Sequence, residues 1–179
     1  AVDKIISYMD NTLPGNWKNN ITFVADDGSN ADSNKNIHMQ QANTLAEIVE
    51  ENHPEFRVNK LFFDAYTKDR TGGNASYPDV EAALQKQLKN GLMVLNYTGH
   101  GNTTSWSDEA VMTQSYIQQA TYPYLPLWIT ATRDFTRFDA LATSAGESVF
   151  LNEKSGGIAL FTTTRAVFSQ DNAVINQAI

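Results

Sequence analysis

The chain has 179 residues, 41% of them hydrophobic and 18% charged, with a formal net charge of −7 and no cysteine. That length and apolar share suit one folded domain with its own core and exclude a disordered chain. The negative balance argues against a nucleic-acid partner, which needs clustered Lys and Arg. Zero cysteines exclude disulfides and thiolate metal sites.

No window carries the roughly 18 apolar residues of a membrane span, and no basic-then-apolar leader opens the chain. Val2, Ile5, Ile6 and Met9 suggest a helix already under way at Ala1, and the chain stops at Ile179 within another. Residues 1–179 are therefore expected to form a single domain that is a piece of a larger protein.

Ile21 to Ala25 reads as a short apolar strand, ended by the polar loop Asp26-Asp27-Gly28-Ser29-Asn30. Ala42, Leu45, Ala46 and Val49 fall at i, i+3, i+4 and i+7 of a helix that Pro54 stops. Lys60 to Phe63 is the second predicted strand, and the polar, Gly-containing stretch Thr67 to Tyr77 is a loop. Pro78 opens a helix carrying Val80, Ala83, Leu84 and Leu88, and Gly91 closes it.

Leu92 to Leu95 is a third strand, leading into Asn96-Tyr97-Thr98-Gly99-His100-Gly101. A short helix is expected over residues 111–119. Leu127 to Ala131 is the fourth strand, leading into Thr132-Arg133-Asp134-Phe135. Ser144-Ala145-Gly146-Glu147 reads as a capping box at the start of a helix through Val149 and Leu151, and Gly157 to Thr162 is the fifth strand. Strands apolar on both faces and separated by helices imply a mostly parallel α/β sheet flanked by helices. Ligands of such sheets bind beyond the carboxyl ends of the strands. Asp26, Asp27, His100, Arg133 and Arg165 all fall at or just past such ends.

His100 has the setting of a general base. Glycines on both sides allow close approach, and a strand tip presents the imidazole to a cleft. His38, near a helix start, and His53, before Pro54, read as structural or solvated. Trp106, Trp128 and Phe135 read as core more readily than as cleft lining. The oxygen-rich run Asp26 to Asp32 suits Ca²⁺, with Asp26 and Asp27 the candidate ligands, although its spacing fits no EF-hand and its residues are ordinary turn formers.

The ordered set Asn96-Tyr97-Thr98-Gly99-His100-Gly101, Trp106, the run Thr130 to Asp139, Ser144 to Glu147 and the run Gly156 to Arg165 resembles the gingipain-type cysteine peptidases, and most closely their type IX secretion sortase branch. The resemblance implies a caspase-like fold and a place at the bacterial outer membrane or cell surface. It implies removal of C-terminal signal domains from secreted cargo, which is joined to an anionic lipopolysaccharide. Partners would be peptide, the signal domain and other type IX components. No cofactor is required, and Ca²⁺ is a known companion of the family.

By the same resemblance His100 is the base and Gly101 the backbone donor to the oxyanion. The nucleophilic cysteine belongs 33 residues after His100, where this chain has Arg133. A guanidinium has no lone pair to attack with. The chain is thus expected to be inactive as a cysteine peptidase, whether through a single-base Cys-to-Arg change or as a natural inactive homologue. An alternative reading is a non-catalytic peptide-binding module. Glu109, Asp134, Asp139 and Glu147 are candidate partners for the guanidinium.

Overall fold

The computed structural model describes residues 1–28 and 34–179. Strands β1 (Asn20–Ala25), β2 (Arg57–Phe62), β3 (Val94–Thr98), β6 (Leu127–Ala131) and β7 (Ala159–Thr162) form one sheet in the order β2-β1-β3-β6-β7. Every pairing in it is parallel. Alternate residues face opposite sides of the pleat, and the burial follows that alternation.

On one face Val24, Leu61, Leu95, Tyr97 and Trp128 pack with helices α3 (Pro78–Asn90), α4 (Gln114–Gln119) and α5 (Ala145–Leu151). Val80, Leu84 and Leu88 of α3, Ile117 of α4, and Ala145 and Val149 of α5 complete that core. On the other face Ile21, Phe23 and Val94 meet Leu45, Ala46 and Val49 of α2 (Ile37–Asn52). Helix α6 (Ser169–Ala178) covers β6 beside α2.

The third strand runs further than its apolar start predicts, through Asn96 and Thr98. Both are buried, and α6 supplies their partners. The amides of Asn96 and Asn176 exchange hydrogen bonds at 2.7 and 3.1 Å, and Asn176 Nδ2 also donates to Thr98 Oγ1 at 3.3 Å. A second, two-stranded element, β4 (Ser105–Trp106) with β5 (Met112–Thr113), follows the His100 loop. It takes the first residues of the segment predicted as helix, and α4 begins only at Gln114. The capping box forms: Ser144 caps α5, and Glu147 returns to the Ser144 amide at 2.7 Å.

Helix α1 (Val2–Met9) is held by Lys4 and by Tyr8, which stands edge-on to Trp17. Lys4, 7% exposed, donates from Nζ to the carbonyls of Val149 (3.4 Å), Phe150 (3.1 Å), Asn152 (2.8 Å) and Ser155 (3.0 Å). These include carbonyls at the end of α5, which lack helical donors and sit at the negative end of the helix dipole.

Candidate active site

Three strand tips build the site. The ladder pairs Ala25 with Thr98 and Thr98 with Ala131. It continues past the strands: Asp26 N donates to Thr98 O (3.1 Å) and Gly99 N to Ala131 O (3.2 Å). Asp26, His100 and the Thr132-Arg133 turn are therefore carried to the same edge by the sheet itself.

His100 is held through both backbone and ring. Its N–H meets Asp26 Oδ2 at 3.0 Å, and its Nδ1 meets the same oxygen at 2.8 Å. Its carbonyl accepts from Tyr97 Oη (2.6 Å) and from Ser107 N (2.8 Å). With Nδ1 turned to the carboxylate, Nε2 is the ring nitrogen on the side away from Asp26. Burial pushes the Asp26 carboxyl up to about 7, against the pull of the His100 hydrogen bonds and charge, and the negative Asp27 adds to the rise.

Both glycines beside His100 are required by space. A Cβ on Gly99 would lie 2.3 Å from Asp26 Cβ, and one on Gly101 would lie 2.5 Å from Thr132 Oγ1. Gly101 pairs with Trp106 in a bridge closed by Ser107 N to His100 O and Asn102 N to Ser105 O, so the Gly101 N–H stands outside that ladder. This is the amide that the resemblance assigns to the oxyanion.

Arg133 is exposed at the β6 tip, and Asp134 after it turns the chain in the left-handed region at φ 55. Short polar side chains such as Asp enter that region more readily than others. Arg133 Nε donates to Gly101 O at 3.4 Å. The carboxylates considered as its partners are engaged elsewhere or too far. Asp139 pairs with Arg165, Glu109 with Lys68, and Glu147 caps α5. Among the described residues no carboxylate, Asp134 included, forms an ion pair with Arg133.

The tips border a cleft of about 240 Å³ lined by His38, His100, Thr132, Arg133, Phe168 and Asn172, among others. Of the two sequence readings of His38, structural or solvated, the structure shows the buried one. It is buried at the start of α2, and its ring stands edge-on to His100 with centroids 4.8 Å apart. The reason is topological: a helix that follows a parallel strand starts at the carboxyl edge, so its first turn faces the same tips. His53 lies on the surface near Glu55. Trp106, Trp128 and Phe135 are fully buried, with Trp106 stacked on Tyr97 at 4.2 Å, so they support the site from beneath and do not line the cleft.

Asp26 Oδ2 serves His100, while its Oδ1 is buried without a hydrogen-bond partner among the described residues. Asp26, Asp27 and Glu109 do bring carboxylate oxygens within 4.8 Å of one another. Between them lies Lys68, whose Nζ is 2.8 Å from Asp27 Oδ2 and 2.7 Å from Glu109 Oε1. Burial alone would lower the Lys68 pKa, but these two carboxylates raise it above its ordinary value. An ammonium thus stands against two of the three acids. Ser29 to Asp32 of the proposed calcium run lie outside the described residues.

The sequence profile of peptidase family C25 matches residues 1–179, and the chain belongs to that family. In structure it is similar to the Arg-specific cysteine proteinase gingipain R, RgpB, at 17% identity over 93% of this chain and 37% of that one, with a TM-score of 0.69. It is also similar to the complex of Porphyromonas gingivalis RgpB pro- and mature domains, at 16% identity over 96% and 39% of the two chains, with a TM-score of 0.71. A third similar structure, described only as a protease, is 21% identical over 96% and 35%, with a TM-score of 0.69. The fold is thus the caspase-like α/β fold of the gingipains. The chain spans little more than a third of the length of each of these structures. No curated protein matches it.

Proposed function

We propose that this chain is a peptide-binding form of a C25 cysteine peptidase, with the base and cleft kept and covalent catalysis lost. One observation carries the reading: Arg133 stands at the β6 tip beside the Asp26–His100 pair, in a chain without cysteine. In a thiol-bearing member, a cysteine at this tip would pass its proton to His100 and attack the peptide carbonyl. Asp26 would hold the imidazole in register, and the Gly101 N–H would receive the developing oxyanion. A guanidinium can do neither half of the nucleophile's work. It has no lone pair, and its fixed charge disfavours the imidazolium that a thiolate would stabilise.

The order of motifs supports the type IX secretion sortase branch. On that reading the cleft receives the segment around the C-terminal signal domain of secreted cargo, at the bacterial cell surface and among other components of that pathway. The test is incubation of the chain with such a cargo peptide and with a thiol-directed electrophile, read by mass spectrometry. Intact peptide and unlabelled protein are expected. Cleavage that disappears in His100→Ala would overturn the proposal, and labelling of intact cells with an antibody to the chain tests the location.

A further inference from the structure

We infer that the cleft holds a peptide by its free carboxylate, seated between Arg133 and the two strand tips. This rests on the reading of the cleft as a non-covalent peptide site and names the ligand group it selects.

Among the described residues that line it, the cleft collects donors and no acid to receive them. The Arg133 guanidinium is exposed, is tied to the protein only through Nε, and has no carboxylate partner among the described residues. Thr132 Oγ1 is buried without a hydrogen-bond partner, in a residue only 2% exposed that lines the cleft. It faces the Gly101 backbone, since a Cβ there would lie 2.5 Å from it. Beside Thr132, though not among the cleft-lining residues, the Gly101 N–H stands outside its ladder. The first turn of α6 opens on the same cleft at Phe168 and Ser169, and no side chain caps it. Its unpaired N–H groups and dipole add positive potential there. Asp26 lies behind the imidazole, hydrogen-bonded to it and outside the cleft lining, and the exposed Asp171 is not among the cleft-lining residues either.

A planar carboxylate matches this set. It accepts two charge-assisted bonds from a guanidinium, or one together with the hydroxyl or amide. The placement also favours a chain end. In a thiol-bearing member the peptide carbonyl under attack lies over this tip, and after cleavage the same carbon becomes the new terminal carboxylate. A guanidinium there is complementary to the product of the lost reaction and not to an uninterrupted chain.

The test uses the whole chain, isotope-labelled to follow the backbone amide signals of Gly101 and residue 132, which every variant retains, beside the Arg133 Nε–H signal of the unmodified chain. Three probes are titrated: N-acetyl-tetra-alanine as the free acid, the same peptide as its carboxamide, and a carboxamide with one internal glutamate. A charge-assisted bond predicts that the acid binds at least about tenfold more tightly than the amide. Arg133→Gln, a change at an exposed position, should abolish that preference, and Thr132→Val should reduce it. Equal binding by the glutamate amide would retain the carboxylate site and assign it to acidic side chains. Equal binding of acid and plain amide, a preference that survives Arg133→Gln, or no response up to about 20 mM would overturn the inference. Mass spectrometry of the same samples separates the two failures, because His100-dependent cleavage would instead overturn the non-covalent reading.

Discussion

Replacing Gly99 with alanine puts one methyl group where the site has no room for it. The new Cβ would stand 2.3 Å from Asp26 Cβ, 2.6 Å from Tyr97 Oη and 2.9 Å from Tyr97 Cζ. Neither neighbour can withdraw cheaply. Tyr97 is fully buried and stacked on Trp106, and Asp26 is buried and bonded twice to His100. Overpacking of this kind costs about 1–3 kcal/mol. Moving Asp26 off His100 forfeits a hydrogen bond to a charged group, about 1.5–3 kcal/mol more. A total of about 2.5–6 kcal/mol lowers Tm by roughly 5–24 °C in a chain of this size. Calorimetry measures that loss, and the low-field Nδ1–H proton resonance of His100 reports whether Asp26 has moved. Gly72→Ala is the control, since nothing lies within 4 Å of a Cβ there. A Gly99→Ala protein with the Tm and the His100 resonance of the unmodified chain would refute the packing argument.

Three further predictions concern charges. The folded pKa of Asp26, about 7, lies above its ordinary 3.8, so its contribution to stability is present below about pH 4 and lost as pH rises toward 7. The stability advantage over Asp26→Asn should therefore shrink across that window in urea titrations, and an advantage that is flat or grows would contradict it. Lys4→Met strands buried carbonyls at the end of α5 and should cost about 1.5–3 kcal/mol by chemical denaturation; a cost below about 0.5 kcal/mol would show that solvent replaces the ammonium. Lys68→Met uncovers Asp27 and Glu109 beside Asp26, so millimolar Ca²⁺ should raise the Tm of that variant more than that of the unmodified chain. Equal shifts would mean that the acids do not form a cation site even without the lysine.

The elements with strong apolar runs were legible from sequence, because a parallel sheet buries both faces of its strands. Leu95 and Trp128 announce their strands for that reason. Asn96 and Thr98 do not, because their partner Asn176 is 80 residues from Asn96 and no local pattern reveals a buried amide pair. The β4–β5 pairing was missed because two-residue strands show no period. At the site, His100 and Arg133 stood out through glycine and motif context. Asp26 was noticed as a strand-tip acid but assigned to a metal, since its neighbour across the ladder is fixed by β1–β3 register and not by sequence distance. His38 gave no local sign. Its place follows only once the first turn of α2 is seen to start at the carboxyl edge.

On the proposed function the Asp26–His100 pair remains competent and Arg133 alone interrupts the chemistry. The most direct measurement is the iodoacetamide alkylation rate of Arg133→Cys, compared with Arg133→Cys/His100→Ala, at about pH 6, where an unassisted thiol of pKa about 8.5 is almost wholly protonated. An imidazolium held beside the new thiol lowers its pKa toward neutrality or below, so the single variant should react faster by about tenfold or more. Equal rates in the two proteins would show that His100 does not activate this position, and would contradict the account.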